Sequence, residues 1–138
     1  MDAAIRVLYY LKGSPCKGIL LSSTSDLYIR GYCDANRGSC PTTRRSVTSY
    51  CTFLGTNPIS WKTKKQNVVS RSTAEAEYRS LADLSCELQW LKALFTYLGH
   101  LQNAPMTVYC DNQSALYIAE NPVYHEQTKH IELDCHFV

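Results

Sequence analysis

The sequence lacks any Cys-x-x-Cys pair, although it contains seven cysteines among its 138 residues. An odd number of cysteines without paired spacing argues against zinc and against the disulfide framework of a secreted protein. No apolar run approaches the roughly 20 residues needed to cross a bilayer, and the N-terminal stretch is charged at Asp2, Arg6 and Lys12. These absences lead us to expect neither a secretion signal nor a membrane span. They predict an intracellular protein, cytoplasmic or nuclear, with reduced thiols.

The chain also lacks a strong excess of either charge, because 14 basic and 12 acidic residues leave a formal net charge of +2. Any affinity for nucleic acid must therefore come from a local patch rather than from the field of the whole protein. Hydrophobic residues make up 45% of the chain, which is enough for the core of one domain.

Hydrophobic periodicity predicts the element order α, β-β-β, α, β, α. Residues 3–12 form a short amphipathic helix that needs tertiary support, and "LYIRGYCDA" alternates as a strand does. The segments "VTSYCTFL" and "PISWKT" form a hairpin across "GTN", and a long helix follows from residue 73 to 98. The strand "MTVYCD" and the helix "QSALYIAE" come next. The closing "KHIELDCHFV" fits a strand or a helix by periodicity alone.

One carboxylate lies on the apolar stripe of the long helix. Alternate steps of three and four from Ala74 to Leu98 meet only apolar residues except Glu77. A carboxylate facing the core is costly unless a cation pairs with it, so we expect a Lys, Arg or metal partner for Glu77. The alternative is a carboxylate at a helix end that leans into solvent. Glu75 has a structural interpretation, because residues 72–75 fit a capping box.

Two aspartates, Asp34 and Asp111, each end an apolar strand directly after a Tyr-Cys pair. Each could simply cap or turn the chain, and Asp111-Asn112-Gln113 could cap the helix that begins near Ser114. Alternatively, carboxylates at the ends of neighbouring strands can converge with one from a helix that crosses the sheet. Such a cluster needs cations, and its hard oxygen ligands suit Mg²⁺ or Mn²⁺. Two such ions about 4 Å apart can promote phosphodiester hydrolysis.

Four segments that cover most of the chain are "GYCDA", "RRSVTSYCTFLGTNPISWKTKKQNVVSRSTAEAEYRSLA", "LQWLKALF" and "VYCDNQSALYIAENPVYHEQTKHIELDCHFV". They resemble the ribonuclease H domain of copia-type retrotransposon Pol polyproteins, particularly those of plants. The resemblance implies an α/β, ribonuclease H-like fold whose mixed sheet has three antiparallel strands plus a parallel fourth, flanked by helices. It also implies cleavage of the RNA strand of RNA–DNA hybrids with two Mg²⁺ or Mn²⁺ ions. By motif, the catalytic metal ligands are Asp34, Glu77 and Asp111.

The sequence departs from the family pattern at two places. Asn36 and Arg37 stand where family members commonly carry an acid and an aromatic residue. The family's fifth strand and final helix, which supplies a fourth carboxylate, are expected to be missing after Val138. Glu132 and Asp134 are then the candidates for a substitute fourth acid, and we expect weakened activity.

The resemblance further predicts the domain organisation and a second hypothesis. Residues 1–26 are expected to be a residual connection from reverse transcriptase, and residues 27–138 an incomplete ribonuclease H-like domain. The alternative function is an inactive retrotransposon remnant that binds nucleic acid or protein. A missing fifth strand would expose the edge of the fourth, and exposed edges recruit other chains, so this hypothesis includes a homodimer through the sheet edge.

Basic and small polar residues near the expected site are candidates for contact with a hybrid. Basic side chains bind phosphates without reading sequence, and small polar groups can sense the RNA 2′-OH. The candidates are Lys62, Lys64, Lys65, Arg71, Arg44, Arg45, Asn112 and Gln113. For the basic residues the alternative is a solvated loop.

Overall fold

The computed structural model describes residues 2–102 and 104–121. Its elements are α1 (Asp2–Lys12), β1 (Ile29–Asn36), β2 (Val47–Leu54), β3 (Asn57–Lys65), α2 (Thr73–Tyr97), β4 (Thr107–Tyr109) and α3 (Gln113–Glu120). The predicted element order is confirmed for this part of the chain. The closing "KHIELDCHFV" and the expected absence of a fifth strand and a final helix lie outside the described residues.

The four strands form one mixed sheet in the order β3-β2-β1-β4. Strand β2 pairs antiparallel with both β1 and β3, whereas β4 pairs parallel with β1. The predicted arrangement of three antiparallel strands plus a parallel fourth is therefore confirmed. Because β1 and β4 run in the same direction, their C-terminal ends lie side by side, and the segments carrying Asp34 and Asp111 come to the same end of the sheet.

Helix α2 packs on one face of this sheet and forms the core with it. Along β1 every second residue from Ile29 to Ala35 is buried, as the strand period requires. The predicted stripe of α2 is confirmed except at its end, where Leu98 is exposed. The core cluster consists of Ile29, Cys33, Tyr50, Tyr78, Leu81, Leu84, Leu88, Leu91 and Ala115.

Two glycines permit close approaches in this core. A methyl group at Gly31 would lie 2.7 Å from Cδ1 of Leu84, so the bare backbone lets α2 pack closely on β1. Gly55 turns the β2–β3 hairpin with a φ of 59°, and its N–H donates to the Tyr28 carbonyl at 2.8 Å. A side chain at this turn would collide with Ser25, whose Oγ would be 2.0 Å away.

The other face of the sheet carries exposed aromatic residues. The Tyr32 ring stacks on Tyr109 with centroids 4.7 Å apart and meets the Phe53 ring edge-on at 5.6 Å. Tyr32 and Tyr109 are nevertheless 43% and 48% exposed. Strands β3 and β4 are the edges of the sheet in the part of the chain that the structure describes.

The N-terminal helix contributes nothing to the core. No residue of α1 is buried, so the tertiary support expected for this short helix is not found among the described residues. The segment after it is attached to the hairpin, since the Ser22 N–H donates to Asn57 at 2.7 Å and the Thr56 N–H donates to Ser25 at 2.7 Å. The division of the chain after residue 26 stays a prediction. Within residues 2–102 and 104–121, no helix is both long enough and apolar enough to cross a bilayer.

Candidate metal centre

The start of α2 is held by a network that uses Glu75 but not Glu77. Ser72 is the N-cap, and its Oγ accepts from the Glu75 N–H at 3.0 Å. The Glu75 carboxylate accepts from the Arg71 N–H at 2.7 Å and pairs with Arg79 at 3.1 Å. The structural interpretation of Glu75 is therefore confirmed. These contacts hold the first turn of α2, from which the Glu77 side chain projects.

Glu77 points from α2 towards the end of β1 and is only 4% exposed. The alternative of a carboxylate that leans into solvent is therefore wrong. One carboxylate oxygen accepts from the Ala35 N–H, whereas Oε2 has no hydrogen-bond partner among the described residues. Desolvation by burial raises the pKa of Glu77, and the negative charges of Asp34 and Asp111 add to this, against the lowering effect of the Ala35 N–H. Such an oxygen is stabilised by a cation.

Asp111 follows β4 and lies next to Glu77. The carboxylates of Glu77 and Asp111 and the sulfur of Cys110 lie within 4.8 Å of one another. Asn112, not Asp111, is the N-cap of α3, because its Oδ1 accepts from the Ala115 N–H at 3.0 Å. The helix cap predicted within residues 111–113 is therefore confirmed at Asn112, and the exposed carboxylate of Asp111 does not take part in it.

Asp34 lies near this group but outside it. In β1 its side chain alternates with those of Cys33 and Ala35, so it projects from the opposite face of the strand and is exposed. Its charge acts on Glu77, yet its carboxylate is not within the group defined by the 4.8 Å spacing. The buried Ser80 holds the strand here by donating to the Asp34 carbonyl at 2.9 Å. The role of Asp34 as a metal ligand stays a prediction.

Two residues of this centre were not predicted from the sequence. Cys110 contributes the sulfur of the group, and Ser80 fixes the backbone of Asp34. The recurrence of Tyr-Cys-Asp at two strand ends was the available signal for Cys110, since it places a thiol beside each aspartate. No local pattern marks Ser80, because its partner is far away in the chain.

The described residues fit a divalent cation. Two carboxylates converge, one of them buried with an unsatisfied oxygen, and like charges at this spacing are stable together only when a cation or a proton compensates them. Oxygen ligands of this kind suit Mg²⁺ or Mn²⁺. Glu132 and Asp134, the candidates for a fourth acid, lie outside the described residues.

Comparison with known proteins identifies the origin of the chain. No family model matches it. It is 46% identical over 137 residues to the retrovirus-related Pol polyprotein from transposon RE2 of Arabidopsis thaliana, which covers 99% of the chain. The chain is homologous to part of the Pol polyproteins of plant copia-type retrotransposons. The family resemblance predicted from the motifs is confirmed at this level.

Two further relatives have the same description. The corresponding polyprotein from transposon RE1 of Arabidopsis thaliana is 44% identical over 138 residues, or 100% of the chain. The polyprotein from transposon TNT 1-94 of Nicotiana tabacum is 37% identical over 137 residues, or 99% of the chain. The Pol-related chain spans only 9% of the RE2 and RE1 polyproteins and 10% of the tobacco one.

The predicted basic cluster of the Pol-related chain is divided between the two faces of β3. Lys62, Lys64 and Lys65 are all exposed, and neighbours along a strand point in opposite directions, so Lys65 projects away from Lys62 and Lys64. Lys62 and Lys64 share one face, and Lys65 lies on the other. The Lys65 ammonium donates to the Cys40 sulfur at 3.1 Å.

The pairing register puts these lysines at the end of the sheet that carries the carboxylates. Lys65 pairs with Val47 of β2, which pairs with Asn36 of β1. Two strand spacings separate β3 from β1, which is roughly 10 Å. Lys64 also lines a depression with Arg79 and Asp83.

The remaining candidates for nucleic-acid contact occupy different environments. Arg44 lines a second depression with Arg37 and Ser70, and Arg45 and Arg71 are exposed in loops. The Asn112 Oδ1 is used by the helix cap, whereas Gln113 is exposed in the first turn of α3. Contact of any of these residues with a hybrid stays a prediction.

Proposed function

We propose that this Pol-related chain is a metal-dependent ribonuclease H that hydrolyses the RNA strand of RNA–DNA hybrids. The observation that carries the proposal is the buried Glu77 of α2, which has an unsatisfied carboxylate oxygen and whose carboxylate lies within 4.8 Å of that of Asp111 at the end of β4. A mixed sheet crossed by a long helix is compatible with the ribonuclease H-like fold that the family resemblance implies. The homology to retrotransposon Pol polyproteins supports a role in reverse transcription.

In this proposal Asp34, Glu77 and Asp111 hold Mg²⁺ or Mn²⁺, two ions in the family mechanism. When bound, such ions activate the attacking water and stabilise the leaving oxygen of the phosphodiester. The Ala35 N–H fixes one oxygen of Glu77, and Oε2 has no hydrogen-bond partner among the described residues. The Asn112 cap orders the loop that carries Asp111, and Ser80 orders the backbone at Asp34. Preorganised ligands of this kind lower the cost of binding a cation.

The lysines of β3 supply the contacts with the substrate backbone in this proposal. Lys62, Lys64 and Lys65 are exposed at the end of the sheet near the carboxylates, and ammonium groups neutralise phosphates without reading sequence.

We expect more activity with Mn²⁺ than with Mg²⁺. Mg²⁺ demands near-ideal oxygen coordination, whereas the cluster of Glu77, Cys110 and Asp111 contains a sulfur.

The test is cleavage of a labelled RNA–DNA hybrid by the wild type and by Asp111→Asn in Mg²⁺ or Mn²⁺. We expect the substitution to abolish cleavage, because it removes a charged ligand while keeping the shape of the side chain. Asp2→Asn, the same chemical change on the exposed helix α1, is the matched control and should cleave as the wild type does. Cleavage that Asp111→Asn leaves intact would refute the proposed site.

One observation favours a second function, that of a nucleic-acid-binding module without activity. The Asp34 carboxylate lies outside the tight group, and a thiol lies inside it. In this alternative the exposed lysines still bind a hybrid, so the wild type would retain it in a filter-binding assay and leave its RNA strand intact in both metals.

A further inference from the structure

The sulfur of Cys110 belongs to the cluster that contains the carboxylates of Glu77 and Asp111. Its Sγ lies within 4.8 Å of one carboxylate oxygen of Glu77 and one of Asp111. Glu77 is 4% exposed, and its Oε2 has no hydrogen-bond partner among the described residues. An unsatisfied buried oxygen is a second, independent sign that a cation belongs here.

The surroundings of Cys110 hold its sulfur as an acceptor. The Asn112 N–H donates a hydrogen bond to it, and the Cys33 thiol, which lies 3.8 Å from the Tyr109 carbonyl, also interacts with it. The strand register explains the second contact, because Tyr32 pairs with Tyr109 and the next residues along both strands are Cys33 and Cys110. These contacts hold the Cys110 sulfur in place beside the two carboxylates. Desolvation by burial raises the pKa of its thiol, so a bound cation must displace the proton before the sulfur can ligate it.

We propose that Glu77, Cys110 and Asp111 form a binding site for Zn²⁺. Zinc accepts thiolate and carboxylate ligands together, at about 2.3 Å and about 2.0–2.2 Å, and three protein ligands leave a fourth tetrahedral position open. Magnesium discriminates against sulfur and keeps to oxygen ligands. The sulfur therefore makes the site selective for Zn²⁺. On binding, the Cys110 thiol gives its proton to solvent, and no bond other than S–H breaks.

The spacing of cysteines in the sequence bears only on zinc sites built within one loop or turn. The absence of Cys-x-x-Cys excludes the paired ligands of a zinc finger, whereas this site takes one ligand from α2 and two from the end of β4. It is assembled by tertiary packing, so no spacing rule along the chain describes it.

A regulatory consequence follows, and it rests on the proposed function. Glu77 and Asp111 are also the expected ligands of the catalytic Mg²⁺ or Mn²⁺, so Zn²⁺ held by Cys110 competes with those ions and inhibits hydrolysis. Zinc-dependent inhibition should be weaker in Cys110→Ser than in the wild type, because the substitution replaces only the ligand that zinc prefers.

The primary experiment measures Zn²⁺ binding to the whole chain by calorimetry, in the wild type and in Cys110→Ser. We expect the substitution to weaken binding by at least about tenfold, since the loss of even a supporting group behind a ligand typically costs about 10- to 100-fold. Cys16→Ser is the matched control, because Cys16 is an exposed thiol far along the chain, and it should bind as the wild type does. Equal affinity of Cys110→Ser and wild type would overturn the inference.

A second measurement needs no variant and covers the case in which Cys110→Ser does not fold. The wild type is alkylated with iodoacetamide with and without Zn²⁺, and the modification of each cysteine is read by mass spectrometry. Zinc should protect Cys110 and leave Cys16 reactive; equal modification of Cys110 in both samples would count against the site.

These measurements separate the failure of this inference from the failure of the proposed function, because they use the protein without substrate. Zinc binding through Cys110 in a chain that does not cleave a hybrid would support the inference and contradict the nuclease proposal. If the chain cleaves a hybrid and Cys110→Ser leaves its zinc affinity unchanged, the nuclease proposal is supported and the zinc inference is contradicted.

Discussion

Glu77 shows how one side chain can oppose the stability of the fold that contains it. Its carboxylate is buried, accepts a hydrogen bond from the Ala35 N–H and leaves Oε2 without a partner among the described residues. Because burial raises its pKa above the ordinary value of 4.5, the folded chain binds this proton more tightly than the unfolded chain does. The stability that protonation contributes is complete below the unfolded pKa and is lost as the pH rises through the folded pKa.

The first prediction concerns Glu77→Gln in metal-free buffer. The variant keeps the shape of the side chain but cannot ionise, so it should melt at a higher temperature than the wild type at neutral pH. The difference should grow as the pH rises from about 4 to about 8 and vanish at the acid end, where both side chains are neutral. Thermal denaturation followed by circular dichroism, with a chelator present, measures it.

Two further samples decide the cause of that difference. Glu120→Gln changes an exposed carboxylate on α3 and should follow the wild type at every pH. Added Mg²⁺ should stabilise the wild type and not Glu77→Gln, because only the wild type has the charged ligand. A gap between Glu77→Gln and wild type that stayed constant with pH would contradict the argument from burial.

At the scale of elements, the metal centre depends on how α2 and α3 join the sheet. Gly31 lets α2 lie close enough to β1 for the Glu77 carboxylate to reach the Ala35 N–H. The Asn112 cap begins α3 directly after Asp111 and so sets the direction of the preceding loop. Each contact belongs to packing or capping, yet both determine where a carboxylate points.

The second prediction tests the helix cap. Asn112→Ala should destabilise the chain by about 1 kcal/mol, the usual cost of removing an N-cap oxygen. It should also weaken Zn²⁺ or Mn²⁺ binding, because the loop with Asp111 loses its anchor. Urea denaturation and metal titration measure the two effects. Gln113→Ala, one residue further on and exposed, is the control that should change neither.

The third prediction tests the close approach of α2. Gly31→Ala should cost about 1–3 kcal/mol, because the new methyl group would meet the buried Leu84 at 2.7 Å. Gly18→Ala is the matched control, since a methyl group there meets nothing within 4 Å. Denaturation of Gly31→Ala, Leu84→Val and the double variant completes the cycle. The double variant should lose less stability than the sum of the two single variants, and strict additivity would rule out the steric explanation.

At the scale of the whole molecule, the charge distribution decides how a nucleic acid would be bound. A formal net charge of +2 provides no strong overall field. The exposed lysines of β3, at the end of the sheet near the carboxylates, are instead a local source of attraction for phosphates. Screening by salt therefore tests their role directly.

The fourth prediction is that replacing Lys62, Lys64 and Lys65 together by glutamine weakens binding of an RNA–DNA hybrid. The slope of log affinity against log salt should become shallower by about 0.7–0.9 for each lost phosphate contact. Fluorescence anisotropy with a labelled hybrid across a salt series measures it, with chelator present to prevent cleavage. Lys92→Gln on the exposed side of α2 is the control, and an unchanged slope in the triple variant would remove β3 from the interface.

The sequence by itself determined the element order, the hairpin at Gly55, the faces of β1 and the position of Glu77 on the buried side of α2. Each of these follows from patterns within a few residues, because the strand period of two and the helix period of 3.6 assign side chains to faces locally. The capping role of Glu75 was also predictable, since a capping box is complete within four residues. Family motifs added the origin of the chain, which the comparisons confirm.

Only the tertiary structure decided which atoms meet at the ends of β1 and β4. It placed Cys110 with Glu77 and Asp111, left the Asp34 carboxylate outside that group, and gave the cap of α3 to Asn112. It also brought the lysines of β3 to the end of the sheet near the carboxylates and left α1 without buried residues. These outcomes depend on strand register and on the approach of α2 to the sheet. Both are set by packing between segments far apart in the chain, which local periodicity does not encode.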